Sequence, residues 1–147
     1  MTRLVFASRS QAWKAHARQP GDVLVPLTEA ARDEALAAEP DAPLADLPPF
    51  GALQSAALAD AFEQARAILD TLADDAAWAR LLRYRGIDLR PMAHKNLFFA
   101  LEDVARVVAV ARAATEAHPG SATILLDRDP VVARAVRAAM PDVETPH

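Results

Sequence analysis

Three short apolar runs, each followed at once by a helix-start signal, restrict this chain more than any other feature. RLVFA (Arg3 to Ala7), DVLVPL (Asp22 to Leu27) and ATILLD (Ala122 to Asp127) are too short for helices and rich in strand formers. ATILLD is almost continuously apolar, as a strand covered on both faces must be. Ser8, Thr28 and Asp129 stand just after the three runs, where helix N-caps are expected. A β-then-α order of this kind closes into a parallel sheet with right-handed crossovers. The predicted fold is therefore α/β, a Rossmann-like three-layer sandwich with a small parallel sheet flanked by helices. Abundant alanine predicts that helix outweighs strand.

Ser8 and Gln11 have capping-box spacing for a first helix running to about Arg18, and Pro20 and Gly21 turn the chain into the second strand. Pro26 marks that strand's end or an edge, and Thr28 caps a helix over 29–38. Four prolines between Glu39 and Pro49 predict a loop, with APLADL at most a fleeting edge strand. A third helix is expected over 52–73, with Leu58, Phe62, Ala65, Leu69 and Leu72 as its apolar stripe. Asp74 or Asp75 should cap a short helix, AAWARLLRYR, that Gly86 ends. Ile87 to Leu89 reads as a minimal strand or extended link. A long helix follows over 92–118, with Leu97, Leu101, Val104, Val108 and Ala111 as its stripe, and HPG stops it. Asp129 and Pro130 open a last helix to about Met140. DVETPH then falls where another strand is due, although a frayed tail reads equally well.

At 147 residues, 52% hydrophobic and 24% charged, the chain has the size and composition of one globular domain, spanning 1–147. A net charge of −4 with no dense basic segment argues against nucleic acid as a partner. No cysteine is present, which excludes disulfides, thiolate chemistry and cysteine-ligated metals. The opening MTRLVFASRSQAW has too short an apolar run for a signal peptide. Glu102, Asp103, Arg106 and Arg112 interrupt the longest apolar stretch, so no transmembrane segment is expected and a cytoplasmic location follows as the default.

Ligands of open α/β sheets sit at strand carboxyl ends and helix N-termini. Ser8, Arg9 and Ser10 after the first strand could hold an anion through hydroxyls, amides and a guanidinium, or simply begin a helix. Neither a G-x-G-x-x-G sequence nor a P-loop occurs. Thr28 and Glu29 offer a polar substrate contact, or a cap with a dipole-matched acid. Asp127 and Asp129 have D-x-D spacing, which can hold a divalent cation, yet Asp129–Pro130 is equally an Ncap–N1 pair. His94, with Arg90 and Lys95 nearby, lies in the first turn of the long helix. The dipole there disfavours the cation and suits a general base; the alternative is a partly buried histidine bonded within the fold. His16, His118 and His147 have weaker claims. No H-x-x-x-H pattern suggests zinc, so no metal or other cofactor is expected, and no G-x-S-x-G elbow supports a hydrolase.

DVLVPLTEAARDEAL, the DLPPF loop, ALADAFEQARAILDTLAD, YRGIDLRPMAHKNLFFAL and ATILLDRDP together give a layout that resembles the N-terminal half of bacterial GT-B glycosyltransferases of surface-polysaccharide synthesis. The resemblance spans most of the chain and lies in pattern and spacing. It implies a Rossmann-like, acceptor-side domain with a sugar acceptor as ligand. The nucleotide-sugar donor would be held by a separate C-terminal domain, so the chain would be half of an enzyme and inactive alone. It also implies a catalytic base in this half, which maps by location to His94, with Ser8, Arg9, Ser10, Thr28, Arg90, Lys95 and Asp127 as candidate substrate contacts. The competing expectation is a non-enzymatic α/β binding or assembly module.

Overall fold

In a computed structural model describing residues 2–127 and 129–145, the chain is α/β, with a parallel sheet between two helical layers. The elements are β1 (Arg3–Ala7), α1 (Ser10–Ala15), β2 (Asp22–Pro26), α2 (Glu29–Ala38), α3 (Phe50–Ala73), α4 (Ala76–Leu81), β3 (Arg83–Tyr84), β4 (Ile87–Asp88), α5 (Arg90–Ala117), β5 (Ala122–Leu125) and α6 (Pro130–Ala139). β1 is central, with β2 on one side (Val5 opposite Leu24) and β5 on the other (Val5 opposite Ile124), both parallel.

Two single bridges widen this sheet. Leu44 pairs in parallel with Leu24, through Leu24 N–H to the Pro43 carbonyl at 2.7 Å and Ala45 N–H to the Leu24 carbonyl at 2.9 Å. Glu144 pairs in parallel with Ile124, and the Leu125 amide donates to the Glu144 carbonyl at 2.8 Å. With these two bridges the order across the sheet is Leu44, β2, β1, β5, Glu144, which winds both ways from β1 as in a Rossmann-like domain. The proline-rich loop thus contributes an edge track, and so does the DVETPH segment through Glu144; its last two residues lie outside the described residues.

Alternation along β1 divides the core. Leu4 and Phe6, with Val25 and Leu27, face Val107, Val110, Ala111 and Ala114 of α5 and Ala135 and Val136 of α6. Val5 and Ala7, with Leu24, face Trp13 of α1 and Ala35 of α2. Successive strand residues point to opposite faces, so a strand apolar at every position needs a helical layer on each side.

Two helices start as expected. Thr28 Oγ1 accepts from the Ala31 amide at 3.1 Å, and Asp129 Oδ1 from the Val131 amide at 2.8 Å. Replacing Asp129 with alanine should destabilise the fold by about 1 kcal/mol, measurable by urea titration.

Other expectations are corrected. Ser8 does not cap α1: the N-cap is Arg9, which makes no side-chain cap bond, and the helix ends at Ala15 rather than Arg18. Asp127, from the neighbouring strand end, takes the Ser8 amide. The short helix capped by Asp75 stops at Leu81 rather than continuing to Arg85. Arg83–Tyr84 instead pairs antiparallel with Ile87–Asp88 around Arg85 (φ 51°) and Gly86 (φ 82°). Two successive left-handed residues match the right-handed twist of a two-residue hairpin, so Gly86 is a turn residue and not a helix stop. In α3 the buried residues are Ala57, Ala61, Ala65 and Leu69, whereas Phe62 is 48% exposed. Small side chains let α3 and α5 approach closely, so alanines close the seam and the larger apolar groups are displaced to its flanks.

Candidate functional site

The sheet reverses its winding between β1 and β5, the position where open α/β sheets form a crevice at strand carboxyl ends. A cleft of about 470 Å³ lies on that side. Its walls are apolar, supplied by Leu27, Phe50, Leu53, Val104, Val107 and Val132. Thr28, Gln54 and Arg106 add polar groups, and Glu29, Asp103 and Asp129 add carboxylates.

Two backbone amides at the switch point are already engaged by one side chain. Asp127 accepts from the Ser8 amide through Oδ2 at 3.2 Å and from the Asp129 amide through Oδ1 at 2.8 Å. These are the groups that would otherwise cradle a phosphate. Arg106 is drawn to its own helix, pairing with Glu102 and lying 3.9 Å from Asp103. Asp127 behind the lining and Glu29, Asp103 and Asp129 within it outnumber the one guanidinium, Arg106, which disfavours an anionic ligand. A neutral ligand rich in hydroxyls, with an apolar ring face, suits these walls better.

The candidate residues therefore separate. Ser8 and Thr28 line the cleft, and Asp127 stands behind it. Ser10 is buried and donates to Glu34 Oε2 at 2.7 Å, tying α1 to α2. Arg9 is exposed at the start of α1. Arg90, Lys95 and His94 do not line the cleft. Arg90 grips Asp88, with Nε 2.9 Å from Oδ2, and this guanidinium holds the Asp88 carboxyl down to about 2. Lys95 lies over the Phe99 ring at 5.9 Å. His94 is half-buried against Phe62, edge to face with ring centroids 4.9 Å apart. It precedes Asp103 by nine residues on α5, about 13 Å along the helix axis. Among the described residues no group of three or more histidine, aspartate or glutamate side chains is placed to hold a metal. Arg128, between Asp127 and Asp129, and His147 lie outside the described residues.

No protein-family model, no curated protein and no solved structure matches the chain. Among the described residues no helix is long and apolar enough to cross a membrane.

Gln54, Asp103 and Arg106 are cleft residues that the sequence reading did not single out. In the sequence Asp103 and Arg106 stand out only as charges that interrupt the longest apolar stretch. Their only sequence signal is adjacency to Val104 and Val107, which face the sheet core.

Proposed function

We propose that this chain is the acceptor-binding, N-terminal half of a GT-B-like glycosyltransferase of surface-polysaccharide synthesis, inactive by itself. One observation carries the reading: a cleft at the strand carboxyl ends where Asp127 takes the Ser8 and Asp129 amides and where three carboxylates line the wall against Arg106. Such a site disfavours the diphosphate of a nucleotide sugar, which would be held on a separate donor-side domain. It favours an acceptor presenting hydroxyls to Thr28, Gln54 and Asp103, with sugar ring faces against Leu53 and Val104. Asp103 and Glu29 are then the nearest carboxylates to a bound hydroxyl. His94 could serve as base only for an acceptor reaching along α5.

Thermal melts of the full chain against a panel of neutral oligosaccharides and nucleotide sugars test this. A saturating oligosaccharide, at about a hundred times its Kd, should stabilise by about 2.7 kcal/mol, raising Tm by several degrees. Nucleotide sugars should leave Tm unchanged. Asp103→Asn and Gln54→Ala should each weaken the oligosaccharide response about tenfold without altering the unliganded melt. Strong nucleotide-sugar binding, or silence toward every oligosaccharide, would reject the reading.

A further inference from the structure

The cleft leaves unexplained a helical arm that carries most of the molecule's exposed apolar bulk. α5 is 28 residues long, about 42 Å, whereas β1 with five residues spans about 17 Å. Every fully buried residue of α5 lies between Val107 and Ala114, so its first half runs past the sheet. The second half of α3, α4 and the β3–β4 hairpin accompany it. Of the large hydrophobic residues that are exposed among the described residues, only Val131 lies outside this arm; the others run from Phe62 to Phe99. Leu81 is 68% exposed, Ile87 60% and Met92 59%. Ring contacts of Phe62 with Phe98 at 6.2 Å, and of Phe98 with Phe99 at 5.5 Å, make the base of the arm one continuous apolar surface.

The charges of the arm are segregated. Its outgoing half, 60–75, holds Asp60, Glu63, Asp70, Asp74 and Asp75 against Arg66 alone. Its returning half, 80–95, holds Arg80, Arg83, Arg85, Arg90 and Lys95 against Asp88 alone. The ion pairs within the arm join neighbours in sequence, Arg66 with Asp70 and Arg90 with Asp88. Among the described residues Glu63, Asp74, Arg80, Arg83, Arg85 and Lys95 form no ion pair. Arg80, Arg83 and Arg90 also line a groove of about 510 Å³ at the tip.

We propose that the arm is a dimerisation element, and that its occupant is the arm of a second copy of this chain, packed face to face about a twofold axis that runs along the arm. A twofold contact requires a surface complementary to itself. An element acidic along one limb and basic along the other meets that condition, because rotation sets each acidic limb against the partner's basic limb. A single-sign partner, such as a polyanion or an anionic membrane, would satisfy one limb and repel the other. The exposed apolar area is of the right scale: eight large side chains at about half exposure present at most about 800 Å² per copy, the size a stable interface uses. Two helical hairpins joined in this way make a four-helix bundle, which covers the flanks that the alanine seam leaves open.

Sedimentation equilibrium of the full chain at about 50 µM should give twice its 15.8 kDa mass, with dissociation promoted by salt. Ile87→Glu combined with Phe99→Glu alters only exposed side chains. It should give a monomer with an unchanged melting curve, and Met92→Glu, likewise exposed, provides a second variant. Lys95→Glu and Glu63→Lys should each weaken association about tenfold, and the two together should restore it. A wild-type monomer at that concentration would overturn the proposal. So would a dimer that survives the glutamate variants, or a monomer that binds anionic vesicles or single-stranded oligonucleotide through the arm.

Discussion

Leu125→Asp is expected to abolish folding. Leu125 is 1% exposed, at the end of β5 nearest the switch point, where it pairs in register with Phe6 and packs in the larger core cluster. Removing the isobutyl group from that core costs about 2–3 kcal/mol, and a carboxylate left there without a partner costs several more. Together these approach the ~5–15 kcal/mol that holds a whole domain. No rearrangement of β5 relieves the strain, because its backbone is fixed on both sides, to β1 and to Glu144. Circular dichroism and a one-dimensional proton spectrum should show loss of cooperative unfolding and of dispersed methyl resonances. Leu125→Met, which conserves volume, should cost less than about 1.5 kcal/mol. A melt of the aspartate variant within a few degrees of wild type would show that this strand is not in the core.

Asp22→Ala should have the second-largest effect. Asp22 is buried at the start of β2 and ties the amino ends of the first two strands together. Its Oδ1 accepts from Arg3 Nε at 2.6 Å, and its Oδ2 from Arg3 Nη2 at 2.8 Å and the Gln19 amide at 2.9 Å, with His16 Nε2 at 3.1 Å. The Arg3 fork, followed by the Gln19 amide and His16, lowers its pKa from 3.8 to about 2 against the opposing cost of burial. A carboxylate with a depressed folded-state pKa contributes stability that is fully present above its unfolded value. That contribution disappears as pH falls through the folded value. The difference corresponds to about 2 kcal/mol, present above pH ~4 and lost by pH ~2. Alanine also strands the Arg3 guanidinium and the Gln19 amide, so the total at pH 7 should reach about 2–4 kcal/mol. For a chain of this size that lowers Tm by roughly 10 °C. Urea titrations of both proteins from pH 7 to pH 2 should show the gap narrowing only below pH 4. A gap that is constant across this range would exclude the ion pair as its cause.

The acceptor reading and the dimerisation arm occupy different ends of α5. Residues near Asp103 face the cleft, while those from Arg90 to Phe99 belong to the arm. A monomeric variant should therefore keep its oligosaccharide response, so the two ideas fail or stand separately.

The three strands, the parallel order and the caps Thr28 and Asp129, with Asp75 as one of two candidates, are legible in the sequence because each rests on local signals. These are a short apolar run, a period of 3.6, or a side-chain oxygen two or three residues before an amide it can reach. What the tertiary structure decided involves partners far apart in the chain. Leu44 and Glu144 become edge tracks only because β2 and β5 present unpaired backbone groups to them. The Ser8 amide, which a capping box would offer to Gln11, goes instead to Asp127, 119 residues later, across the switch point. Tyr84 leaves the helix for a hairpin that returns the chain to α5. Phe62, a stripe residue by periodicity, stays half-exposed on the flank of the α3–α5 seam, its ring against His94 and Phe98, while Ala57, Ala61 and Ala65 are buried. The cleft likewise joins Thr28, Gln54, Asp103 and Asp129 from four elements. Local sequence determines which segments are helix or strand and which faces are apolar. Which apolar face meets a partner, and which polar groups share a crevice, depends on the packing distance between elements and on their competition for unpaired backbone groups.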